Sequence, residues 1–255
     1  MLKDKSDVLK IADIDKQDTN GNTLLHWAAD AGEVDIVKEL LAKKARAGLT
    51  NFAGDTPFSK AAKAGRIEVL QAFEDAGYDW RADRNYRGET PLYQAAQNGH
   101  LPAVMWLAER GAFVDVPSST DMPLHAALKN KHLDVAAYII TESATPEYRD
   151  CTGKKTSELI LNKILNPKKE DTDAFMLGLY RCLGLLMEQG VKLYLPYSDE
   201  KQDFVDFFEG AMERVEKKYA KPTGVRFCRV VQKGHKTDCK FGLERIYQTI
   251  HSFFD

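Results

Sequence analysis

Apolar residues recur at helical spacing in four pairs of short segments along the first part of the chain. The first segments of the pairs lie at 22–32, 55–65, 89–99 and 121–131, and the second segments follow directly at 33–44, 66–77, 100–111 and 132–143. Apolar positions that are three or four residues apart share one face of a helix. The pattern therefore predicts a unit of helix, tight turn and helix that occurs four times.

Residue types at fixed positions support these helix boundaries. Thr23, Thr56 and Thr90 stand where a hydroxyl can cap the first helix of a pair. Proline suits the next position, since the first N–H of a helix has no partner within it. Small residues let the first helices pack closely, and glycine suits the left-handed turn that ends them. The prolines are Pro57, Pro91 and Pro123. The small residues are Ala28, Ala29, Ala61, Ala62, Ala95 and Ala96, and the glycines are Gly32, Gly65 and Gly99.

The first segments read NTLLHWAADAG, DTPFSKAAKAG, ETPLYQAAQNG and DMPLHAALKNK. They resemble the opening of the ankyrin repeat, Thr-Pro-Leu-His-x-Ala. The resemblance implies two antiparallel helices and a projecting hairpin-like loop in each unit, with the units stacked side by side. The predicted fold class is therefore an all-α ankyrin-repeat solenoid with a helical C-terminal capping region.

Some positions depart from this pattern. In the fourth unit, Leu128 replaces an alanine, Lys131 replaces the glycine, and the preceding loop lacks a turn glycine. The resemblance implies that His26 and His125 form structural hydrogen bonds between neighbouring loops. Phe58 and Tyr93 supply no histidine at the starts of the second and third units, which predicts an interrupted polar ladder and lower local stability there.

The extent of the repeats divides the chain into four predicted regions. Residues 1–17 are predicted to form an N-terminal capping helix, 18–144 four repeats, 145–196 a degenerate fifth repeat with an insertion, and 197–255 a helical C-terminal region. The most apolar stretch, 174–187, is too short to cross a bilayer and contains Arg181, so we interpret it as a buried helix.

Composition narrows the class of protein and suggests a compartment. The chain is 44% hydrophobic and 29% charged with a formal net charge of −2, which argues against disordered, fibrous and membrane classes. Four scattered cysteines and the lack of an apolar export signal predict a cytoplasmic setting. The combination of divergent repeats and a non-repeat helical tail is also loosely similar to ankyrin effectors of intracellular bacteria. That similarity would place the protein in the cytosol of a host cell.

The resemblance implies a concave face that recognises a partner protein through the first helices and the loop tips. Exposed aromatic and arginine residues are frequent interface anchors, and lysines on this face predict an acidic partner surface. No cofactor and no small-molecule substrate are expected. The predicted contact residues are Trp27, Asp30, Phe52, Lys60, Lys63, Tyr86, Arg87, Gln94, Gln97 and Lys129.

An enzyme is the second class of function considered. The sequence lacks a glycine-rich phosphate loop, a His-Glu-x-x-His helix, a Gly-x-Ser-x-Gly elbow and the kinase signatures. A pair assembled only in the fold stays open, with Cys228 or Cys182 beside His235 or His251. In that alternative, the C-terminal region carries the active site and the repeats recruit the substrate.

The C-terminal region holds two further candidate sites. Cys228, His235 and Cys239 are zinc-ligand types, but the paired short cysteine spacing is absent, so no metal site is predicted. Residues 214–245 hold ten Lys or Arg residues and three acidic ones. Such an excess attracts anionic lipid or nucleic acid, although a solvated face is the simpler interpretation. The residues proposed for anion binding are Arg226, Arg229, Lys233 and Lys236.

Overall fold

The computed structural model describes residues 13–119, 121–143, 147–150, 152–165, 173–189 and 191. Within these residues the chain is helical, with one isolated β-bridge between Arg149 and Lys155 and no strand. Contacts separate the described residues into two compact units that meet in sequence at Thr156 and Ser157. Residues 1–12 of the predicted N-terminal capping helix and the predicted C-terminal region 197–255 lie outside the described residues, as do residues 166–172 of the predicted fifth repeat.

Each of the four units forms the predicted pair of helices, joined by a tight turn. The first helices are α1 (Leu24–Ala31), α3 (Pro57–Lys63), α5 (Pro91–Gln97) and α7 (Pro123–Lys129). The second helices are α2 (Val34–Ala42), α4 (Ile67–Asp75), α6 (Leu101–Glu109) and α8 (Leu133–Glu142). The periodicity of the sequence thus predicted all eight helices, with ends within two residues of those observed.

The predicted caps are present in three of the four units. The hydroxyl of Thr56 accepts a hydrogen bond from the N–H of Ser59 at 3.1 Å, and that of Thr90 accepts one from the N–H of Tyr93 at 3.0 Å. Thr23 caps α1 in the same way. Met122 makes no side-chain cap. The sequence of each unit therefore sets where its first helix begins, except in the fourth.

The first helices contact one another in the order α1, α3, α5, α7, and the second helices follow the same order. Close stacking is possible because the paired alanines of the first three units, and Ala127 with Leu128 in the fourth, are almost completely buried. Larger apolar side chains from the second helices complete the core, among them Leu40, Leu70, Leu107 and Ile139. This arrangement confirms the all-α stacked-repeat fold.

An aromatic cluster, made of Phe58, Phe73, Tyr78, Trp80 and Trp106, lies between the second and third units. The ring of Phe58 is fully buried and stacks on Trp80 with centroids 5.2 Å apart and planes 5° from parallel. Phe73 meets Phe58 edge to face at 5.8 Å, and Trp106 lies 6.3 Å from Trp80. The sequence patterns had not indicated this cluster.

The cluster corrects the role first given to Phe58. In the aligned units Phe58 is equivalent to Leu25, and Ser59 is the residue that stands in the place of His26. The Ser59 hydroxyl donates to the carbonyl of Thr56 in its own unit. The polar ladder is therefore interrupted at Ser59, while Phe58 supplies core packing.

The second compact unit contains two described helices, α9 (Thr156–Leu165) and α10 (Asp173–Glu188). Helix α10 includes the apolar stretch 174–187 for which a buried helix was predicted. Its buried side chains include Leu179, Tyr180, Cys182, Leu183 and Leu186. None of the described helices has the length and apolar character needed to cross a membrane.

Lys131 occupies the turn position that glycine holds in the other units, with a left-handed φ of 66°. A side chain at such a φ costs about 1 kcal/mol. Lys131→Gly is therefore expected to raise the free energy of unfolding by about 0.5–1 kcal/mol, measured by urea unfolding of the full chain. Lys131→Ala keeps the Cβ and serves as the control, since it should give no gain. An equal gain in both variants would show that the backbone angle is not the cause.

Candidate protein-binding surface

Each unit opens with a hairpin tip that is built by local hydrogen bonds. In the second unit, the N–H of Asn51 donates to the carbonyl of Asp55 at 3.0 Å, and that of Gly54 donates to the carbonyl of Asn51 at 2.9 Å. The Asn51 side chain also accepts from the N–H groups of Ala53 and Asp55. Asparagine favours such turns because its side chain can bond its own neighbouring backbone.

Neighbouring tips are linked by backbone hydrogen bonds. The N–H of Phe52 donates to the carbonyl of Asn20 at 3.0 Å, that of Tyr86 to Ala53 at 3.1 Å, and that of Ser119 to Arg87 at 2.7 Å. These bonds recur once per unit, so they fix the register of one tip against the next. The side chains of the tips are therefore held in a defined row.

The aromatic rings of this row are exposed to solvent but pack against the backbone of the preceding tip. Phe52 is 70% exposed and Tyr86 is 76% exposed. Phe52 lies against Gly21 and Tyr86 against Gly54, so closely that a Cβ on either glycine would lie within 3.0 Å of the ring. A glycine of the preceding tip thus leaves the space in which each ring packs.

Trp27 projects from α1 and is 52% exposed. Its indole N–H donates to Asp18 Oδ2 at 2.9 Å. Burial raises the pKa of Asp18, but hydrogen bonds from Asn22, Asn20 and Trp27 outweigh it and hold the pKa below the usual value. The carboxylate therefore stays charged and fixes the orientation of the exposed indole.

The charged residues predicted for this surface are largely paired with one another. Lys60 Nζ lies 3.4 Å from Asp30 Oδ1, and Lys129 Nζ bonds Asp121 Oδ2. Lys63 and Arg87 are exposed, and Gln97 is half-buried. The acidic partner was predicted from Lys60, Lys63 and Lys129, and two of these three lysines already contact a carboxylate of this chain.

Gln94 is a correction to the predicted contact residues. Its side chain is only 2% exposed, and its Nε2 donates to Asp55 Oδ1 at 2.6 Å. The glutamine amide turns into the stack because this carboxylate accepts its hydrogen bond. A partner that covers the exposed face therefore cannot use Gln94 as a surface contact.

A largely buried polar cluster, formed by Asp55, Asn85, Glu89 and Gln94, was not predicted from the sequence. Asn85 Nδ2 donates to Asp55 Oδ1 at 3.1 Å and to Glu89 Oε2 at 2.7 Å, bridging two units. Asp55 and Glu89 immediately precede the Thr-Pro pairs that begin α3 and α5. The signal was an acidic residue repeated at this position, but the family motif begins one residue later.

The two repeat histidines lie where the resemblance placed them, each between two loops. His26 Nε2 is 3.0 Å from the carbonyl oxygen of Asp55, and His125 Nε2 is 2.9 Å from Thr156 Oγ1. The N–H of Thr23 donates to His26 Nδ1 at 3.0 Å, so Nδ1 is unprotonated and Nε2 carries the hydrogen. His26 is therefore neutral in the folded chain.

The neutral state of His26 predicts a pH dependence. Burial lowers the pKa of His26 below the ordinary 6.5. Below about pH 6.5 the unfolded chain binds a proton that the folded chain does not, so stability is lost as pH falls, by up to about 1.4 kcal/mol per pH unit. Urea unfolding from about pH 7.5 to about pH 5.5 should show the stability difference between wild type and His26→Gln shrinking. A difference that is constant with pH would contradict this assignment.

The remaining candidate sites, for a metal ion, for catalysis and for anions, lie only partly within the described residues. Among the described residues, no group of three His, Cys, Asp or Glu residues could hold a metal ion. Cys182 is buried in α10. Cys228, His235, Cys239 and His251 lie outside the described residues, as do Arg226, Arg229, Lys233 and Lys236. The enzyme and anion-binding alternatives therefore stay predictions.

Comparison with known proteins agrees with the geometry of the repeats. A family model described as ankyrin repeats in three copies matches residues 4–82 and 61–150. A putative ankyrin repeat protein of Rickettsia bellii is 32% identical over 151 residues, covering 58% of this chain and 80% of that protein. A putative ankyrin repeat protein of Rickettsia felis is 32% identical over 132 residues, covering 50% of this chain and 56% of that protein.

The similarity extends to a much longer animal protein. The transient receptor potential cation channel subfamily A member 1 homolog of Caenorhabditis elegans is 29% identical over 166 residues. The match covers 65% of this chain but 13% of that homolog.

Proposed function

Since the chain belongs to the ankyrin-repeat family, we propose that it recognises a partner protein through its first helices and hairpin tips. The binding surface comprises the exposed side chains of α1, α3, α5 and α7 together with the tips near Phe52 and Tyr86. Fold alone does not define a partner, so the proposal rests on the side chains that this surface presents.

One observation carries the proposal: the exposed aromatic residues of the surface are held in place by their neighbours. Trp27 is fixed by Asp18, Phe52 lies on Gly21, and Tyr86 lies on Gly54. Large side chains that are already ordered lose little conformational entropy when a partner covers them. Such residues are the usual energetic anchors of protein interfaces.

The compartment is also part of the proposal. We propose that the protein acts in a cytosol, either that of its own cell or that of a host into which it is delivered. Support comes from the likeness to the two Rickettsia proteins. Fractionation of cells that contain the tagged protein would contradict both if the protein accumulated outside the cytosol.

The test is capture of partners from a cell lysate by the full-length protein, quantified by mass spectrometry. The triple variant Trp27→Ala, Phe52→Ala and Tyr86→Ala is expected to reduce recovery of a true partner at least tenfold, on the order of the loss from removing interface anchors. The matched control is Phe113→Ala, because Phe113 is 75% exposed but lies outside the binding surface.

Recovery of a partner with wild type and Phe113→Ala, but not with the triple variant, would support recognition through this surface. A partner that is retained equally by all three proteins would contradict it and direct attention to residues 197–255. Matching circular dichroism melting curves would exclude loss of folding as the cause.

A further inference from the structure

A cleft lies between the loops that follow α4 and α6, and none of the predicted contact residues lines it. The buried side chains of Trp80 and Leu92 form the floor of this loop cleft. Val116 and Phe113 line it from the second loop, and Phe113 is 75% exposed. A large exposed apolar side chain that continues into an apolar cleft marks a surface where a partner can bury both.

The walls of the loop cleft are held by contacts within the chain. Trp80 stacks on Phe58 with ring centroids 5.2 Å apart, and the Arg81 guanidinium lies 5.0 Å from the centroid of the Trp80 ring. Arg81 Nη2 also donates to the carbonyl of Arg110 at 3.1 Å, which ties the two loops together. The cleft is therefore already formed, so a ligand loses little binding free energy in ordering it.

The size of the loop cleft limits what it can hold. Its volume is about 80 Å³, whereas an apolar cavity that binds benzene measures about 150 Å³ and sites for drug-sized molecules measure about 300–1,000 Å³. The cleft therefore suits one aliphatic side chain of a larger ligand. Burial of such a side chain against Trp80, Leu92 and Phe113 is favourable because it removes apolar surface of both partners from water.

Two arginines give the loop cleft a positive charge. Arg81 and Arg84 line it, and no acidic residue is among the described residues that do so. Arg81 lies 3.4 Å from Asp79, but both side chains are more than half exposed, and such pairs contribute little. In the part of the chain that the structure describes, Arg84 forms no ion pair, and its side chain donates only to backbone carbonyls, through Nη1. The other N–H groups of Arg84 are therefore available to an anionic group of a ligand.

We propose that the loop cleft binds a segment of a partner protein in which an aliphatic side chain stands beside a glutamate or aspartate. The aliphatic side chain occupies the space against Trp80, Leu92 and Phe113. The carboxylate pairs with Arg84, whose planar guanidinium holds such a group through two parallel hydrogen bonds. The loop cleft is a second site, separate from the binding surface of the first helices and tips, and it does not depend on that surface.

The test is selection of a random peptide library, displayed on phage, on the immobilised full-length protein. Selected clones are sorted by the variant that abolishes their binding. Clones lost with the triple variant of the binding surface use that surface, and clones lost with Phe113→Ala use the loop cleft. Peptides of the second class are synthesised with their acidic residue and with lysine in its place. Isothermal titration then measures their affinities for wild type, Arg84→Glu and Arg46→Glu.

We expect a class of peptides that binds the triple variant as well as wild type but binds Phe113→Ala at least about tenfold more weakly. These peptides should carry an acidic residue beside an aliphatic one. Arg84→Glu should weaken their binding at least about tenfold, because it sets two like charges together, and lysine in place of the acidic residue should restore binding to Arg84→Glu. The matched control is Arg46→Glu, since Arg46 is exposed in the corresponding loop after α2 and its charge reversal should change affinity less than about threefold.

The loop cleft fails as a peptide site if no clone is sensitive to Phe113→Ala, if the sensitive clones lack acidic residues, if lysine does not restore binding to Arg84→Glu, or if Arg46→Glu causes an equal loss. It also fails if sedimentation shows a dimer of the wild-type protein that Phe113→Ala dissociates, since a second copy of the chain then covers the cleft. Phe113 and Arg84 are exposed, and matching melting curves verify that their variants fold. Clones that depend only on the triple variant leave the proposed function standing and overturn the loop cleft alone.

Discussion

Replacing Phe58 with alanine is expected to lower the free energy of unfolding by about 3–5 kcal/mol. The ring is fully buried between Trp80, Phe73 and Trp106, with its face parallel to Trp80 at 5.2 Å. Alanine would leave a cavity that rigid neighbouring rings cannot close. The loss should be large because stacked units have few contacts other than those with their neighbours.

Urea unfolding of the full chain, followed by circular dichroism, measures this effect. Phe113→Ala is the matched control, since it removes the same side chain from an exposed position and should change stability by no more than about 0.5 kcal/mol. Trp80 and Trp106 also report directly on the cluster, so tryptophan fluorescence should change in the Phe58 variant. A loss below about 1 kcal/mol would show that the cluster relaxes around the missing ring.

The repeated helices could be predicted from sequence because their causes are local. Threonine caps, prolines at the first turn and glycines at the helix ends act within a few residues, and the apolar period marks the buried face. The fourth unit shows how far this reasoning extends. Lys131 adopts the left-handed angle without glycine, so the packing of the stack determines the turn even where the local signal is missing.

Contacts between units were harder to predict because they depend on the register of one repeat against the next. Phe58, Trp80 and Trp106 belong to different segments of the chain, and the motif marks Phe58 only as an apolar position. Gln94 was expected on the surface by its place on α5, yet a hydrogen bond to Asp55 of the preceding unit draws it inward. Its exposure was set by a residue outside its own repeat.

Substitution of Gly54 by alanine is expected to have an effect of similar size, about 2–4 kcal/mol of stability, and to displace the ring of Tyr86. Gly54 has a left-handed φ of 82°, and a Cβ built there lies 2.6 Å from the backbone nitrogen of Tyr86. That nitrogen belongs to the hydrogen bond that joins the two tips. A methyl group must therefore break this bond or shift one tip away from the other.

Gly77→Ala separates the two contributions to this effect. Gly77 has a similar φ of 76°, but nothing lies within 4 Å of the position that a Cβ would take there, so alanine should cost only the backbone strain of about 1 kcal/mol. The additional loss in Gly54→Ala measures the contact between the tips by urea unfolding. Because a Cβ on Gly54 displaces the ring of Tyr86 from the proposed binding surface, Gly54→Ala should also reduce recovery of a partner from the lysate, whereas Gly77→Ala should not. Equal stability and equal binding in the two variants would mean that the tips are not held together by their backbones, and the fixed positions of the exposed rings would need another cause.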